Sequence, residues 1–290
     1  MPSYIIISPV RNEEDYLELT LKSIIAQTVL PLEYILVNDG STDSTPQIID
    51  KYAARYPWIK RIDRNDRGHY LPGKGVVDTF YEGFSTISSP NWDYIVKLDC
   101  DLEFEPSYFE NIFKEFENNS KLGIASGCTY IQADNILIRE PTQKDHPVGP
   151  SKVYKKECWN DIGGIKPIPG WDLEDLLNAQ MKGWETFCFF DLKLIHHRLT
   201  GSRRKGIWTP KYIQGQFEYR HGYSFFYTLI KALRQMFFKP PIIGSIAKVS
   251  GYLSAVIHKE EYLFDHKMRK FLRKKHRNLI LNKIGINKKP

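Results

Sequence analysis

Between Tyr4 and Asn118 the sequence alternates short apolar runs with segments of helical periodicity, joined by polar loops. The apolar runs cover residues 4–8, 34–37, 59–62 and 94–98. Helical spacing recurs between them, for example at Leu17, Leu21 and Ile24. Repeated β-α units predict an α/β fold with a mostly parallel central sheet, covered by helices on both faces. In such sheets, ligands bind in loops at the carboxyl ends of the strands.

The pattern continues less regularly in the rest of the chain. A helix is predicted over residues 108–118, and the stretch 133–150 is polar. Helical spacing from Leu173 to Met181 predicts another helix, which Gly183 ends, and residues 185–195 are expected to form a buried strand. From Tyr212 onward the chain is predicted to be helical, with a break at Pro240-Pro241.

The charge is unevenly distributed. The net charge is +7, but residues 259–290 contain eleven Lys or Arg against three Asp or Glu, which leaves about −1 for the remainder. A basic tail on a nearly neutral body argues against nucleic-acid binding. The four cysteines are widely spaced and predict neither a zinc site nor a disulfide framework. No signal peptide is visible, and the apolar stretch 242–257 is too short to span a membrane, so a cytoplasmic location is expected.

Two carboxylates one residue apart follow the apolar run at 94–98, in the tripeptide Asp99-Cys100-Asp101. Oxygen ligands suit Mg²⁺ or Mn²⁺, which usually complete their coordination with substrate phosphates. The alternative is a turn that ends the strand, where Asp is common.

Several loops carry polar motifs in a recognisable order. They are Ser8-Pro9-Val10-Arg11-Asn12-Glu13-Glu14, Val37-Asn38-Asp39-Gly40-Ser41-Thr42-Asp43-Ser44-Thr45, Gly73-Lys74-Gly75, Asp99-Cys100-Asp101, Asp161-Ile162-Gly163-Gly164, Gly170-Trp171-Asp172-Leu173-Glu174-Asp175 and Lys182-Gly183-Trp184. Together they resemble the family two glycosyltransferases, which have the GT-A (Rossmann-like) fold and use nucleotide-sugars. The resemblance covers roughly residues 3–200.

The resemblance implies a role for each motif. The nucleotide would be held by Pro9, Val10, Arg11, Asn12, Glu13, Asp39, Lys74, Asp99 and Cys100. For Cys100 the alternative is a small buried filler. The metal ion, Mn²⁺ or Mg²⁺, would be held by Asp101 with Asp99. His197, in the segment His196-His197-Arg198 after the last predicted strand, would be a further ligand, and the alternative for at least one of the two histidines is a core position. The metal would stabilise the charge that develops on the leaving diphosphate.

An inverting transfer needs a general base to deprotonate the acceptor hydroxyl. The spacing to Gly183 implies Asp172 for this role, with Asp175 as the second candidate because Glu174-Asp175 also resembles the family motif. The alternative for Asp172 is a helix cap. Trp171 is expected to stack on an acceptor sugar, and ordinary packing is its alternative.

We therefore predict a GT-A catalytic domain over residues 1–205 and a helical, basic extension over 206–290. The expected donor is a nucleotide diphosphate-sugar, most simply a UDP-sugar, and the acceptor is a glycan or a lipid-linked hydroxyl in polysaccharide or glycoconjugate synthesis. The alternatives are a sugar-phosphate nucleotidyltransferase and a non-catalytic nucleotide- or glycan-binding protein. Phe264, Met268, Phe271 and Leu272 form an apolar stripe among basic residues, which favours either peripheral association with the inner face of a membrane or packing within the protein.

Overall fold

The computed structural model describes residues 2–64, 73–133, 136–198, 206, 208–236 and 242–283. The chain forms two compact units, Met1–Leu199 and Thr200–Pro290. The predicted α/β architecture with a helical C-terminal part is confirmed.

The first unit contains nine strands and six helices among its described residues. The strands are β1 Tyr4–Val10, β2 Glu33–Asn38, β3 Ile59–Asp63, β4 Tyr94–Leu98, β5 Leu102–Phe104, β6 Leu122–Ala133, β7 Ile136–Arg139, β8 Ser151–Lys155 and β9 Glu185–His196. The helices are α1 Leu17–Ile25, α2 Thr45–Ala53, α3 Lys74–Ser85, α4 Tyr108–Asn118, α5 Lys156–Ile162 and α6 Trp171–Met181. The strand predicted at 185–195 is present, but only four of its residues are buried, and the others are partly or fully exposed.

The described strands form one sheet in the order β3-β2-β1-β4-β8-β6-β9-β5, with β7 paired to β6. The four strands β3, β2, β1 and β4 are parallel neighbours, and β8 runs antiparallel between β4 and β6. Alternate residues of each parallel strand face opposite layers of helices. Ile6 and Leu36 pack in the layer with α1, α2 and α4, whereas Ile5 and Ile35 pack in the layer with α3, α5 and α6.

The second unit is helical over its described residues. Its helices are α7 Trp208–Arg220, α8 Phe225–Gln235, α9 Ile243–Ile257 and α10 His266–Lys283. The predicted break at Pro240-Pro241 lies outside the described residues. The predicted apolar stripe is packed inside this unit. Phe264, just before α10, and Met268 and Leu272 on α10 are at most 5% exposed, and Phe271 is partly buried. Among the described helices, none is both long enough and apolar enough to cross a membrane.

Candidate active site

Three loops with polar side chains meet at one edge of the sheet, because they follow the carboxyl ends of the parallel neighbours β2, β1 and β4. They are residues 39–44 after β2, residues 11–16 after β1 and the Asp99-Cys100-Asp101 loop after β4. Pro9 and Val10 end β1, and the Val10 side chain is buried in the core. Only the backbone of Val10 therefore lies at this edge.

The loop after β1 is braced against the loop after β2. Arg11 Nη1 donates to the Asp39 carbonyl at 2.8 Å, and Asn12 Oδ1 accepts from the Thr42 backbone N–H at 2.8 Å. Asn12 has a φ of 53°, in the left-handed region that Asn tolerates better than most residues. In this structure the Arg11 and Asn12 side chains therefore shape the loops that border the site.

Glu13 connects the same loop to the end of β9. Its backbone N–H donates to Thr45 Oγ1 at 2.8 Å, and its carboxylate accepts two hydrogen bonds from Arg198 at 2.8 and 2.9 Å. A two-point pairing of Arg with a carboxylate fixes the orientation of both groups. Arg198, which follows the two histidines, was given no role from the sequence.

Asp39 and Lys74 lie at the α3 side of the site. Asp39 Oδ1 is 3.5 Å from Arg64 Nη1, and the Lys74 ammonium bonds Asp78 at 2.9 Å along α3. Gly73 precedes Lys74 with a φ of +76°, and a Cβ added there would lie 2.9 Å from Pro169 Cα. This close approach brings the beginning of α3 against the loop that precedes α6.

Asp101 faces His196 in a largely buried position. His196 Nε2 lies 3.6 Å from Asp101 Oδ2, and His196 Nδ1 lies 2.9 Å from Glu140 Oε2. Burial disfavours the imidazolium, but the two carboxylates outweigh it and raise the pKa of His196 to about 9. Burial likewise works against ionised Asp101, yet the hydrogen bond and charge of His196 lower its pKa. Desolvation raises the pKa of Asp99, although the charge of Lys97 opposes this.

The second oxygen of Asp101, Oδ1, is buried and has no hydrogen-bond partner among the residues that the structure describes. A buried carboxylate oxygen in this state is costly and is usually paired with an ion, a ligand or water. This side of Asp101 therefore fits a cation or a donor group.

His197, predicted as a metal ligand, is directed elsewhere. Its Nε2 lies 3.2 Å from Glu103 Oε2 and its ring stacks on Tyr16, with the centroids 5.7 Å apart. Consecutive side chains along an extended segment point to opposite sides, so His196 and His197 cannot both face Asp101. The structure corrects the prediction, and His196 is the histidine at this site.

The structure also argues against the predicted nucleotide-binding role of Cys100. Its thiol is buried in the core, 3.9 Å from the Tyr34 hydroxyl, and burial raises its pKa. Because it alternates with Asp99 and Asp101, Cys100 faces the core while the two carboxylates face the loop edge. The structure therefore favours the alternative for Cys100, a small buried filler.

Two buried lysines lie directly opposite each other on the antiparallel strands β4 and β8. Lys97 and Lys152 are register partners, and they are 3% and 0% exposed. The Lys97 ammonium contacts Asp99 Oδ1 and donates to the Gly149 carbonyl at 3.1 Å. Each ammonium lies 5.3 Å from the centre of the Trp171 ring, which is compatible with a cation–π contact.

Lys152 forms a buried ion pair with Asp175. Its ammonium bonds both Asp175 oxygens, at 2.7 and 2.8 Å, and also donates to the Asp172 carbonyl at 2.6 Å. Tyr154 donates a further hydrogen bond to Asp175, which is fully buried. Asp175 therefore balances the charge of Lys152, and this overturns its assignment as an alternative general base.

Asp172 lies in the first turn of α6 and is only partly buried. Gly149 lies between it and Asp99: a Cβ at Gly149 would be 3.5 Å from Asp172 Oδ2, and the Asp99 backbone N–H donates to the Pro150 carbonyl at 2.8 Å. Both carboxylates thus border residues 149–150. Trp171 is 7% exposed and packs in the core, so the structure assigns it packing and not an acceptor-stacking role.

No role was predicted from the sequence for Glu140 or Lys152, and His196 and Arg198 were noted only as neighbours of the predicted ligand His197. One sequence signal was available for Lys97. A lysine inside the apolar run 94–98 indicates a buried charge that requires a carboxylate partner. The other four come from segments distant in sequence and are brought together only by the pairing of β6, β8 and β9.

Known proteins share this sequence pattern and this fold. The sequence matches the family described as "Glycosyl transferase family 2" over residues 5–171. An uncharacterized protein of Mycobacterium tuberculosis is 47% identical over 179 residues, which cover 56% of this chain and 50% of that protein. The chain spans half or less of the length of the curated relatives it matches.

Solved structures with this fold are more distant in sequence. A mannosyltransferase from Pyrobaculum calidifontis in complex with GDP-Man and Mn²⁺ aligns with a TM-score of 0.56 and 15% identity, over 98% of this chain and 87% of its own. S. aureus TarS 1-349 in complex with UDP-GlcNAc aligns with a TM-score of 0.55 and 14% identity, over 90% of this chain and 74% of the TarS chain. The fold is thus that of the GT-A glycosyltransferases. The chain belongs to glycosyl transferase family 2.

Proposed function

We propose that this protein transfers a sugar from a nucleotide diphosphate-sugar to a hydroxyl acceptor with inversion at the anomeric carbon. The observation that carries the proposal is the buried, unpartnered Oδ1 of Asp101 at the carboxyl edge of the sheet, among the described residues of a family 2 chain. The structural neighbours in complex with GDP-Man and UDP-GlcNAc support a nucleotide-sugar donor. These two donors carry different bases, guanine and uracil. The proposed donor is therefore a nucleotide diphosphate-sugar, and a UDP-sugar is one candidate.

A divalent cation, Mn²⁺ or Mg²⁺, fits the donors of this edge. Asp101 would hold it through Oδ1, with Asp99 as the neighbouring carboxylate, while His196 would keep its pairing with Asp101 Oδ2. Across the described parts of the chain, no group of three or more His, Cys, Asp or Glu side chains is arranged to hold an ion alone. Mg²⁺ is commonly held by one or two carboxylates and completes its coordination with substrate phosphates. When bound, the ion would offset the charge that develops on the leaving diphosphate.

Asp172 is the proposed general base. It is partly accessible, it borders residues 149–150 together with Asp99, and its carboxylate accepts no hydrogen bond from the residues that the structure describes. Its carboxylate would take the proton of the acceptor hydroxyl as that oxygen attacks the anomeric carbon. Lys152 donates a hydrogen bond to the backbone carbonyl of Asp172, which helps to fix the first turn of α6, where the proposed base lies. A glycan or a lipid-linked hydroxyl is the proposed acceptor class.

The test measures release of nucleoside diphosphate from a panel of UDP-sugars and GDP-sugars, with and without Mn²⁺, for the wild type and for Asp101→Ala and Asp172→Asn. Loss of a general base costs about 10²- to 10⁴-fold in rate, so Asp172→Asn should lower kcat by that amount with little change in donor binding. Asp101→Ala should weaken donor binding and remove the Mn²⁺ dependence.

Asp191→Asn is the matched control, because Asp191 is an exposed aspartate on β9. Turnover that survives both a chelator and Asp101→Ala would contradict the metal assignment. An Asp172→Asn variant as active as Asp191→Asn would remove Asp172 from the mechanism. Thermal stabilisation by nucleoside triphosphates and by no diphosphate would contradict sugar transfer itself.

A further inference from the structure

Helix α9 turns its apolar side to solvent. Its exposed residues are between 42% and 75% exposed, and every one is a large aliphatic side chain: Ile243, Ile246, Leu253, Val256 and Ile257. They recur over the full length of the helix at helical spacing, and the partly exposed positions between them are Val249, Ser250 and Ser254. A surface helix normally has charged and polar residues on this side.

The packed side of α9 is small and polar instead. Gly251 and Gly215 of α7 lie at a close helix crossing, where a Cβ on Gly251 would be 2.0 Å from the Tyr212 carbonyl oxygen. Lys248 is fully buried, and its ammonium lies 2.8 Å from Glu218 Oε1. The usual distribution of apolar and polar side chains is therefore reversed across this helix.

Helix α8, which packs against α9, also exposes large apolar side chains. Phe225, Phe226 and Leu233 are 42%, 63% and 50% exposed. Isolated exposed apolar residues are common, but a set along two adjacent helices is typical of a surface that contacts another molecule.

The charge of this unit indicates which kind of molecule contacts the exposed apolar surface of α8 and α9. Residues 200–290 contain twenty Lys or Arg against four Asp or Glu, a net charge of +16. On α10, the basic side is exposed at Lys267, Lys270, Lys274 and Arg277, while its apolar side is buried. A second copy of the chain would bring the same high positive charge to the contact and be repelled, whereas an anionic lipid surface attracts it.

We propose that the exposed apolar side of α9, together with the exposed side chains of α8, docks on an anionic membrane surface. Helix α9 has 15 residues and is about 22 Å long, shorter than a hydrocarbon core of about 30 Å. It therefore lies in the interface, with its aliphatic side chains among the lipid tails and the basic residues of the unit near the headgroups. The membrane contact is made by α8 and α9, and the buried stripe of α10 does not take part.

The test is co-sedimentation of the full chain with vesicles of phosphatidylcholine containing about one third phosphatidylglycerol, and with vesicles of phosphatidylcholine alone. We expect binding to the anionic vesicles that high salt weakens, and much weaker binding to the neutral ones. Leu253→Asp should reduce the apparent affinity for the anionic vesicles about tenfold or more, since it removes an inserted side chain and adds a repelled charge.

Leu30→Asp is the matched control: Leu30 is a leucine of the first unit with 49% exposure, against 42% for Leu253. It should bind vesicles as the wild type does, and circular dichroism checks that both variants remain folded. Absence of vesicle binding, or equal binding by Leu253→Asp and the wild type, would overturn the proposal. A wild-type dimer that Leu253→Asp converts to a monomer in sedimentation equilibrium would assign the same face to a second copy and also overturn it.

Discussion

Replacing Lys152 by methionine should test whether the buried charge pair beneath α6 is as important as its geometry indicates. Methionine has a similar length without the charge, so the change leaves Asp175 as an unpaired carboxylate in a fully buried position. It also removes three hydrogen bonds, two to Asp175 and one to the Asp172 carbonyl. Removing one partner of such a pair costs about 3–5 kcal/mol, a large share of the roughly 5–15 kcal/mol by which a domain is stable.

The double variant Lys152→Met/Asp175→Leu separates the charge from the packing. It removes both charges, so its destabilisation should be smaller than the sum of the two single changes by about 2 kcal/mol or more. A residual cost remains because the Tyr154 hydroxyl and the Asp172 carbonyl each lose a partner. Urea unfolding followed by tryptophan fluorescence gives the four free energies of unfolding. A cost below about 1 kcal/mol for Lys152→Met, or additive single changes, would refute the reasoning.

The same variants report on the proposed base. If Lys152 positions Asp172 through its carbonyl, the double variant should fold yet show a lower kcat with an unchanged KM for the donor. If Lys152 only neutralises Asp175, the stable double variant should retain wild-type kcat. Lys97→Met is a useful comparison because Lys97 contacts Asp99 and should affect donor KM instead.

Two further predictions concern stability. Burial works against ionised Glu33, but the hydrogen bonds from Lys60, Ser88 and Ser89 outweigh it and lower the pKa from 4.5 to about 2. The ionised carboxylate should therefore contribute about 3 kcal/mol to the free energy of unfolding above pH 4.5, and this contribution should be lost as the pH falls toward 2. The stability difference between the wild type and Glu33→Gln should shrink over that range, and a difference that does not change with pH would contradict it. Gly251→Ala should lower the Tm despite alanine's better helix propensity, because its Cβ would clash at 2.0 Å with the Tyr212 carbonyl oxygen. Gly244→Ala, which meets only the Lys211 side chain at 3.5 Å, is the control and should be neutral or stabilising.

The fold of the first unit was predictable because its strands and helices have strong and distinct periodicities. The strand at 94–98 and the helix at 108–118 were predicted with the same boundaries as in the structure. Both are surrounded by clear signals: the strand ends at two aspartates, and the helix follows Pro106 with phenylalanines at helical spacing. Residues 133–150 carry no such pattern, and the strand β7 within them has four exposed residues, so no buried face repeats in the sequence.

The site was predictable only where a side chain follows directly from its own strand. Asp99 and Asp101 follow β4 at alternate positions, so their common direction is a consequence of the strand itself. His196 and His197 follow the same rule, but which of the two faces Asp101 depends on the register of β9 against β5, where His196 pairs with Leu102. Lys152 depends on the antiparallel pairing of β8 with β4, which no local pattern specifies. Alternation along one strand can be inferred from sequence, whereas the partner strand, and with it the charge that faces each carboxylate, is set by tertiary packing.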